Sequence, residues 1–119
     1  MLVDDDHDLR TMIRLMLEYK GFEVISPEKI GRIKDIPGAG IVDLIIMDML
    51  LSGLNGLDIC ADLKNDNETK HIPVIMISAH PNAREACLNA GADDFISKPF
   101  DMQDMVKKIN HHVIKIRGS

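Results

Sequence analysis

Five short, continuously apolar runs alternate with segments of helical periodicity, and this alternation restricts the fold more than any other feature of the sequence. Apolarity without polar interruption indicates strands buried on both faces, as in a parallel sheet covered by helices. The pattern predicts an α/β fold with a three-layer, doubly wound, five-stranded parallel sheet. Right-handed crossovers leave few topologies, and we expect the strand order 2-1-3-4-5. The five predicted strands are Met1–Val3, Val24–Ile25, Leu44–Met47, Val74–Ile77 and Phe95–Ile96.

The segments between these runs place apolar residues at helical spacing, which predicts helices between the strands and after the last one. The first helix is expected to end at Gly21, and Asp101 is expected to cap the last one. The segment from Glu28 to Ile36 is expected to form a short or irregular helix. The residues predicted to share apolar faces on the other helices are Leu9, Met12, Ile13, Met16 and Leu17; Leu57, Cys60, Ala61 and Leu63; Ala83, Ala86, Cys87 and Ala90; and Met105, Ile109, His112 and Val113.

Length and composition are typical of one globular domain. The chain has 119 residues, of which 45% are apolar and 28% are charged, and a chain of this size can form a core without disulfides. We assign residues 1–115 to a single domain and residues 116–119 to a fraying tail or a cloning remnant. Cys60 and Cys87 lack metal-binding spacing, so we interpret them as buried, reduced thiols of a cytoplasmic protein.

Charge and hydropathy argue against several classes of function. The net charge is −5, and the chain has no Trp and one Tyr, which argues against binding to nucleic acid or to an anionic membrane. No apolar run approaches the roughly 20 residues that span a bilayer. Acidic residues from Asp4 onward argue against a signal peptide. We therefore expect a cytoplasmic protein that contacts neither nucleic acid nor membrane.

Polar residues stand where four of the five predicted strands end. The run Asp4-Asp5-Asp6 follows the first strand, Asp48 the third, Ser78 the fourth and Lys98 the fifth. Doubly wound sheets bind their ligands beyond the carboxyl ends of the strands, so these side chains are expected to meet at one site. Taken singly, Asp6 also fits a helix cap and Asp48 a turn residue. Only their convergence on one edge of the sheet indicates function.

Several carboxylates at one edge repel each other and require a cation. Oxygen ligands without His or Cys favour Mg²⁺ over zinc. An Asp carboxylate can itself accept a phosphoryl group and form an acyl phosphate. Mg²⁺, the Lys98 ammonium and the Ser78 hydroxyl would then each face one side of the transferring group.

These residues resemble those of the receiver domain of two-component response regulators. The resemblance implies a flavodoxin-like fold and a place in two-component signal transduction. A histidine kinase or a phosphotransfer protein would supply the phosphoryl group, and the reaction would depend on Mg²⁺. The resemblance covers Met1 to about Val113 and rests on Val3-Asp4-Asp5 with Asp6, Leu44 to Asp48, Ile75 to Ala79, and Ala90 to Phe100.

The resemblance implies a role for each matching position. Asp48 would be the phosphoacceptor, and Ser78 the switch hydroxyl that turns toward the phosphoryl group. Lys98 would pair with the phosphoryl oxygens, and its bond to Pro99 would be cis. Phe95 takes the place of the aromatic ring that packs inward when the hydroxyl moves. The implied Mg²⁺ ligands are Asp4, Asp5, Asp48 and the backbone carbonyl of Leu50.

The resemblance also implies surfaces for partners. The face of the first helix would be one surface through which the protein interacts with a partner. The face of the fourth helix, the fifth strand and the fifth helix would change on phosphorylation and bind an output partner or a second copy. We interpret the five histidines as surface or capping residues, so the donor imidazole belongs to another protein.

Two other functions are weighed against the phosphoacceptor. A Mg²⁺-dependent phosphatase or phosphotransferase with an Asp nucleophile usually needs a second acid nearby, whereas Met49, Leu50 and Leu51 follow Asp48. A phosphate-independent adaptor with the same fold should have lost at least one residue of the site. We therefore expect a phosphoacceptor with at most slow self-dephosphorylation, and not an enzyme.

Overall fold

A parallel sheet of four strands forms the centre of the computed structural model, which describes residues 1–4, 6–26, 42–51, 54–80 and 82–117. The sheet has the order β1-β2-β5-β6, and β3 and β4 form a separate antiparallel pair. The strands are β1 (Leu2–Val3), β2 (Ile45–Asp48), β3 (Leu50–Leu51), β4 (Leu54–Asn55), β5 (Val74–Ser78) and β6 (Asp94–Ser97). The helices are α1 (His7–Tyr19), α2 (Gly56–Asn65), α3 (Ala83–Asn89) and α4 (Met102–Arg117).

Two buried clusters, one on each face of the sheet, confirm the three-layer arrangement. Successive residues of a strand point to opposite faces, so each strand contributes to both clusters. On one face the sheet packs against Cys60 of α2 and Cys87 of α3. On the other face it packs against Ile13 of α1 and Ile109 of α4. This double burial explains why the strands are apolar at every position.

The predicted order is confirmed for four strands, whereas a strand at Val24–Ile25 is not. The Leu2 N–H donates to the Ile25 carbonyl over 2.8 Å, so this segment lies beside β1 without forming a regular strand. A run of two apolar residues offers too few ladder positions to define a strand by itself. The helix predicted from Glu28 to Ile36 lies outside the described residues.

The first helix buries a narrower face than its sequence predicts. Ile13 and Leu17 are buried against the sheet, and Leu9 packs at the margin of the same cluster. Met12 and Met16, predicted to face the core, are exposed. Because α1 contacts the sheet on one side only, residues beside the central stripe remain in solvent. Ala86 of α3 is exposed for the same reason.

The helix caps follow the sequence closely. The Asp6 carboxylate accepts the Leu9 N–H over 3.1 Å, so Asp6 does cap α1. The Asp101 carboxylate accepts the Gln103 N–H over 2.8 Å at the start of α4, as predicted. The last helix runs through Arg117 and so includes two residues of the segment predicted as a tail.

The two cysteines are fully buried and not joined in a disulfide. Burial raises the pKa of the Cys60 thiol to about 11, and burial also raises the pKa of Cys87. Both thiols therefore stay protonated near neutral pH and serve as packing groups. None of the helices in the described part of the chain is long and apolar enough to cross a membrane.

Candidate functional site

The carboxyl edge of the sheet brings four of the predicted site residues together. Asp4 follows β1, Asp48 ends β2 and Ser78 ends β5. Ser78 pairs in register with Ser97 of β6, and Lys98 comes directly after that strand. We call the group of Asp4, Asp48, Ser78 and Lys98 the acidic rim.

Lys98 joins the two carboxylates of the acidic rim. Its Nζ lies 2.6 Å from Asp48 Oδ2 and 3.5 Å from Asp4 Oδ2. Burial alone would lower the pKa of Lys98, but the hydrogen bond to Asp48 and the charges of both carboxylates bring that pKa above its usual value. Lys98 is therefore a permanent cation at this site. The bond between Lys98 and Pro99 is cis, as predicted.

Asp4 is the most buried carboxylate of the site, with 1% of the residue exposed. Burial raises its pKa, and the neighbouring Asp48 carboxylate raises it further. Two groups oppose this effect, namely the Lys98 ammonium and the Asp6 N–H, which donates to Asp4 Oδ1 over 2.9 Å. Negative charge at Asp4 is therefore costly, and a bound cation would relieve that cost.

Ser78 presents a buried hydroxyl at the same edge. Its Oγ accepts the His80 N–H over 3.0 Å, and its carbonyl accepts the Lys98 N–H over 2.8 Å. Accepting a hydrogen bond uses a lone pair of Oγ and leaves the hydroxyl proton for donation to another acceptor. The backbone bond ties the positions of Ser78 and Lys98 to each other.

The donor set fits Mg²⁺. Asp4 and Asp48 offer carboxylate oxygens, which are the ligands that this hard cation prefers. The part of the chain that the structure describes contains no group of three His, Cys, Asp or Glu side chains arranged as a metal site. Asp5, the third predicted carboxylate, lies outside the described residues. Leu50 lies in β3 opposite Asn55, and the ligand role of its carbonyl stays a prediction.

A glycine lets helix α2 begin directly against the end of β2. The Gly56 N–H donates to the Met49 carbonyl over 2.8 Å. A Cβ at this position would lie 2.7 Å from the Met49 oxygen and closer still to the carbonyl oxygen of Asp48. The absence of a side chain at Gly56 therefore allows α2 to begin this close to the backbone of Asp48. Gly56 was not among the predicted site residues.

Phe95 is a core aromatic in this structure, with 7% of the residue exposed. It belongs to the buried cluster that includes Ala83 and Cys87 of α3. The ring therefore lies inside the fold, between the sheet and α3. Its movement with the hydroxyl of Ser78 stays a prediction.

Arg10 reaches the acidic rim from α1 and was not among the predicted site residues. Its Nη1 donates to the backbone carbonyl of Asp4 over 3.2 Å, and its Nη2 lies 3.2 Å from His7 Nδ1. The available sequence signal was its position on the first turns of the predicted helix, six residues after Asp4. An arginine there can fold back over the turn that precedes its own helix.

One histidine is not the surface or capping residue that we predicted. His112 Nε2 lies 3.1 Å from Asp94 Oδ2, and 11% of the His112 side chain is exposed. Lys108 Nζ lies 3.1 Å from Asp94 Oδ1. These contacts hold α4 against the first residue of β6. Lys108 and His112 are four residues apart, so one helix face presents both to the same carboxylate.

Comparison with known proteins finds a matching family and several relatives. Residues 1–110 match the family described as the response regulator receiver domain. The sequence is 33% identical over 111 residues to the phosphate regulon transcriptional regulatory protein PhoB of Pseudomonas aeruginosa. That alignment covers 92% of this chain and 48% of PhoB. The chain thus spans about half the length of this curated relative.

Solved structures show the same architecture. A response regulator from Chloroflexus aurantiacus superposes with a TM-score of 0.80 at 31% identity, covering 94% of this chain and 93% of the other. The receiver domain of the sensor histidine kinase PA1611 from Pseudomonas aeruginosa superposes with a TM-score of 0.80 at 27% identity, with the same shares covered. That structure has a magnesium ion coordinated in its active site cleft.

Proposed function

The chain belongs to the response regulator receiver domains, and we propose that it accepts a phosphoryl group on Asp48 in a Mg²⁺-dependent reaction. The donor is the phosphorylated imidazole of a histidine kinase or of a phosphotransfer protein. One observation carries the proposal: the Lys98 ammonium lies 2.6 Å from Asp48 Oδ2 and 3.5 Å from Asp4 Oδ2. This arrangement places a cation and a second carboxylate beside the acceptor.

The transfer requires little covalent chemistry from the protein. A carboxylate oxygen of Asp48 attacks phosphorus while the bond from phosphorus to the donor nitrogen breaks, and the electron pair of that bond returns to the imidazole. Positioning and neutralisation of charge account for most of the catalysis in such transfers. Lys98 supplies a fixed positive charge beside the attacking oxygen. Asp4 and Asp48 would hold Mg²⁺, which would supply further neutralisation of negative charge.

Ser78 links the phosphoryl group to the rest of the fold. Its hydroxyl donates to a phosphoryl oxygen once Asp48 is modified. Ser78 ends β5, and α3 begins five residues later at Ala83, a member of the buried cluster that contains Phe95. A shift at Ser78 therefore biases the packing of α3 on the sheet, as a charge switch acting on a two-state element. The face of α3, β6 and α4, here called the signalling face, carries that change to an output partner or a second copy.

An apolar surface on α1 is the proposed docking site for the phosphodonor. Four exposed side chains recur at helical spacing on one side of this helix. Tyr19 is 85% exposed and Leu15 is 58% exposed, which is more apolar surface than scattered single residues give. Because α1 begins beside the acidic rim, a partner on this side can reach Asp48. We call this surface the outer face of α1; it consists of Met12, Leu15, Met16 and Tyr19.

The proposed role is that of a phosphoacceptor with at most slow self-dephosphorylation, and not that of an enzyme that turns over a substrate. We propose a cytoplasmic location, in keeping with the two buried free thiols. The net charge of −5 supports the proposal that this domain makes no direct contact with nucleic acid or membrane.

The test is intact mass after incubation with Mg²⁺ and acetyl phosphate. We expect one phosphoryl adduct on the unmodified protein, and none after Asp48→Asn or in the presence of a chelator. Asp62→Asn is the matched control, because Asp62 is an exposed carboxylate of α2 that does not belong to the acidic rim. An adduct that survives Asp48→Asn, or the absence of any adduct on a folded protein, would overturn the proposal.

A further inference from the structure

Arg10 contacts the acidic rim without belonging to the set of residues that the proposed reaction uses. Its Nη1 donates to the Asp4 carbonyl over 3.2 Å, while its own backbone N–H donates to the Asp6 carbonyl over 2.9 Å. The Asp4 carboxylate in turn accepts the Asp6 N–H. The bond to the Asp6 carbonyl is an ordinary helical backbone bond, whereas the bond to the Asp4 carbonyl is made by the Arg10 side chain.

A second contact orients the guanidinium. Its Nη2 lies 3.2 Å from His7 Nδ1, one turn earlier on the same helix. The planar guanidinium thus contacts two acceptors, the Asp4 carbonyl and the His7 ring. The single ammonium of a lysine could not contact both in the same geometry. The contact is specific to arginine and does not depend on positive charge alone.

We propose that Arg10 is a positioning residue that holds Asp4 in place for binding Mg²⁺. The inference rests on the proposed Mg²⁺ role of Asp4. Groups that orient metal ligands through hydrogen bonds often alter metal affinity by about tenfold or more when they are removed. Arg10 acts on the backbone carbonyl of Asp4, and the carboxylate that would bind the cation belongs to the same residue.

Charge and positioning predict opposite results, which makes the inference testable. As a cation near a cation site, Arg10 by its charge alone weakens Mg²⁺ binding. As a residue that positions Asp4 through a hydrogen bond, Arg10 strengthens Mg²⁺ binding. Arg10→Lys keeps the positive charge and loses the two contacts of the guanidinium, whereas Arg10→Ala loses both the charge and the contacts.

The experiment is calorimetric titration of the full chain with Mg²⁺. We expect Arg10→Lys to raise the dissociation constant by about tenfold. Arg10→Ala should raise it by a smaller factor, because the lost repulsion offsets part of the effect. Arg14→Lys and Arg14→Ala are the matched controls, since Arg14 lies one turn later on α1 and pairs with Glu18 at 3.6 Å. Neither control should change Mg²⁺ affinity.

A second readout follows the turn itself. Hydrogen exchange at the Asp6 amide, which is bonded to Asp4 Oδ1, should be faster in Arg10→Lys than in Arg14→Lys. Thermal unfolding in chelator verifies that each variant is folded. Unchanged affinity in Arg10→Lys, or tighter binding in Arg10→Ala, would overturn the inference. If the unmodified protein binds no Mg²⁺, the proposed function itself is wrong. That result is distinct from an unchanged affinity in the Arg10 variants, which contradicts only the role of Arg10.

Discussion

The residues of the acidic rim are held in a costly arrangement of charge. Asp4 is buried, burial and then the Asp48 carboxylate raise its pKa, and Lys98 offsets this rise only partly. The proposed binding of Mg²⁺ would offset this cost of negative charge. The same excess of negative charge that disfavours the folded state without cation favours Mg²⁺ binding.

Asp4→Asn should therefore stabilise the protein in chelator. The amide oxygen can still accept the Asp6 N–H, while Lys98 retains its 2.6 Å contact with Asp48. We expect a gain in the free energy of unfolding on the order of 1 kcal/mol at neutral pH, measured by urea unfolding.

The pH dependence has a defined sign. A carboxyl whose pKa is raised in the folded state costs stability as pH rises above its unfolded pKa. The advantage of Asp4→Asn should therefore shrink as the solution is acidified, and saturating Mg²⁺ should reverse it. Lower stability of the variant in chelator would contradict this interpretation, and Asp62→Asn should have no effect under any of these conditions.

Among the secondary-structure elements, α1 has one face that packs on the sheet and one apolar face that is exposed. Ile13 and Leu17 anchor it to the sheet, while its outer face, formed by Met12, Leu15, Met16 and Tyr19, remains in solvent. One periodic pattern thus encodes a core contact and a candidate docking surface. A hydrophobic pattern alone cannot separate the two, because both consist of apolar side chains at helical spacing.

Leu15→Glu should slow phosphoryl transfer from a phosphorylated histidine-containing partner by about tenfold, the scale of one well-placed apolar contact. Labelling by acetyl phosphate should be unchanged, because that small donor needs no docking surface. Both rates can be followed by intact mass. Leu88→Glu is the matched control, since Leu88 is another exposed leucine and lies on α3. Equal slowing by both substitutions would refute docking on α1.

At the scale of the whole molecule, a charged network ties the last helix to the sheet. Asp94 at the start of β6 meets Lys108 and His112 of α4. Burial alone would raise the pKa of Asp94, but the Phe95 N–H, His112 and Lys108 together bring that pKa below its usual value. The signalling face therefore contains an electrostatic contact between two of its three elements.

Asp94→Asn should reduce the free energy of unfolding at neutral pH by up to about 1 kcal/mol, the scale of a partly exposed ion pair. A lowered folded-state pKa contributes stability above the unfolded pKa, and this contribution is lost as pH falls through the folded value. The difference between the variant and the unmodified protein should thus vanish in acid. Denaturant unfolding across pH measures it, and a difference that persists in acid would exclude the ionic contribution.

The sequence by itself determined the layered fold and the composition of the site. Buried parallel strands must be apolar throughout, and the residues at their carboxyl ends must meet, so Asp4, Asp48, Ser78 and Lys98 could be identified as one set. The capping roles of Asp6 and Asp101 also follow from local chemistry, because a cap bonds to amides only two or three residues away.

Only the tertiary structure decided which surfaces and contacts are shared between elements. The exposure of Met12 depends on how α1 is turned against the sheet, and the pairing of His112 with Asp94 joins residues from different elements. The hydrogen bond from Arg10 to the Asp4 carbonyl depends on the angle between β1 and α1. Periodicity describes one element at a time, whereas these contacts depend on the relative orientation of two elements.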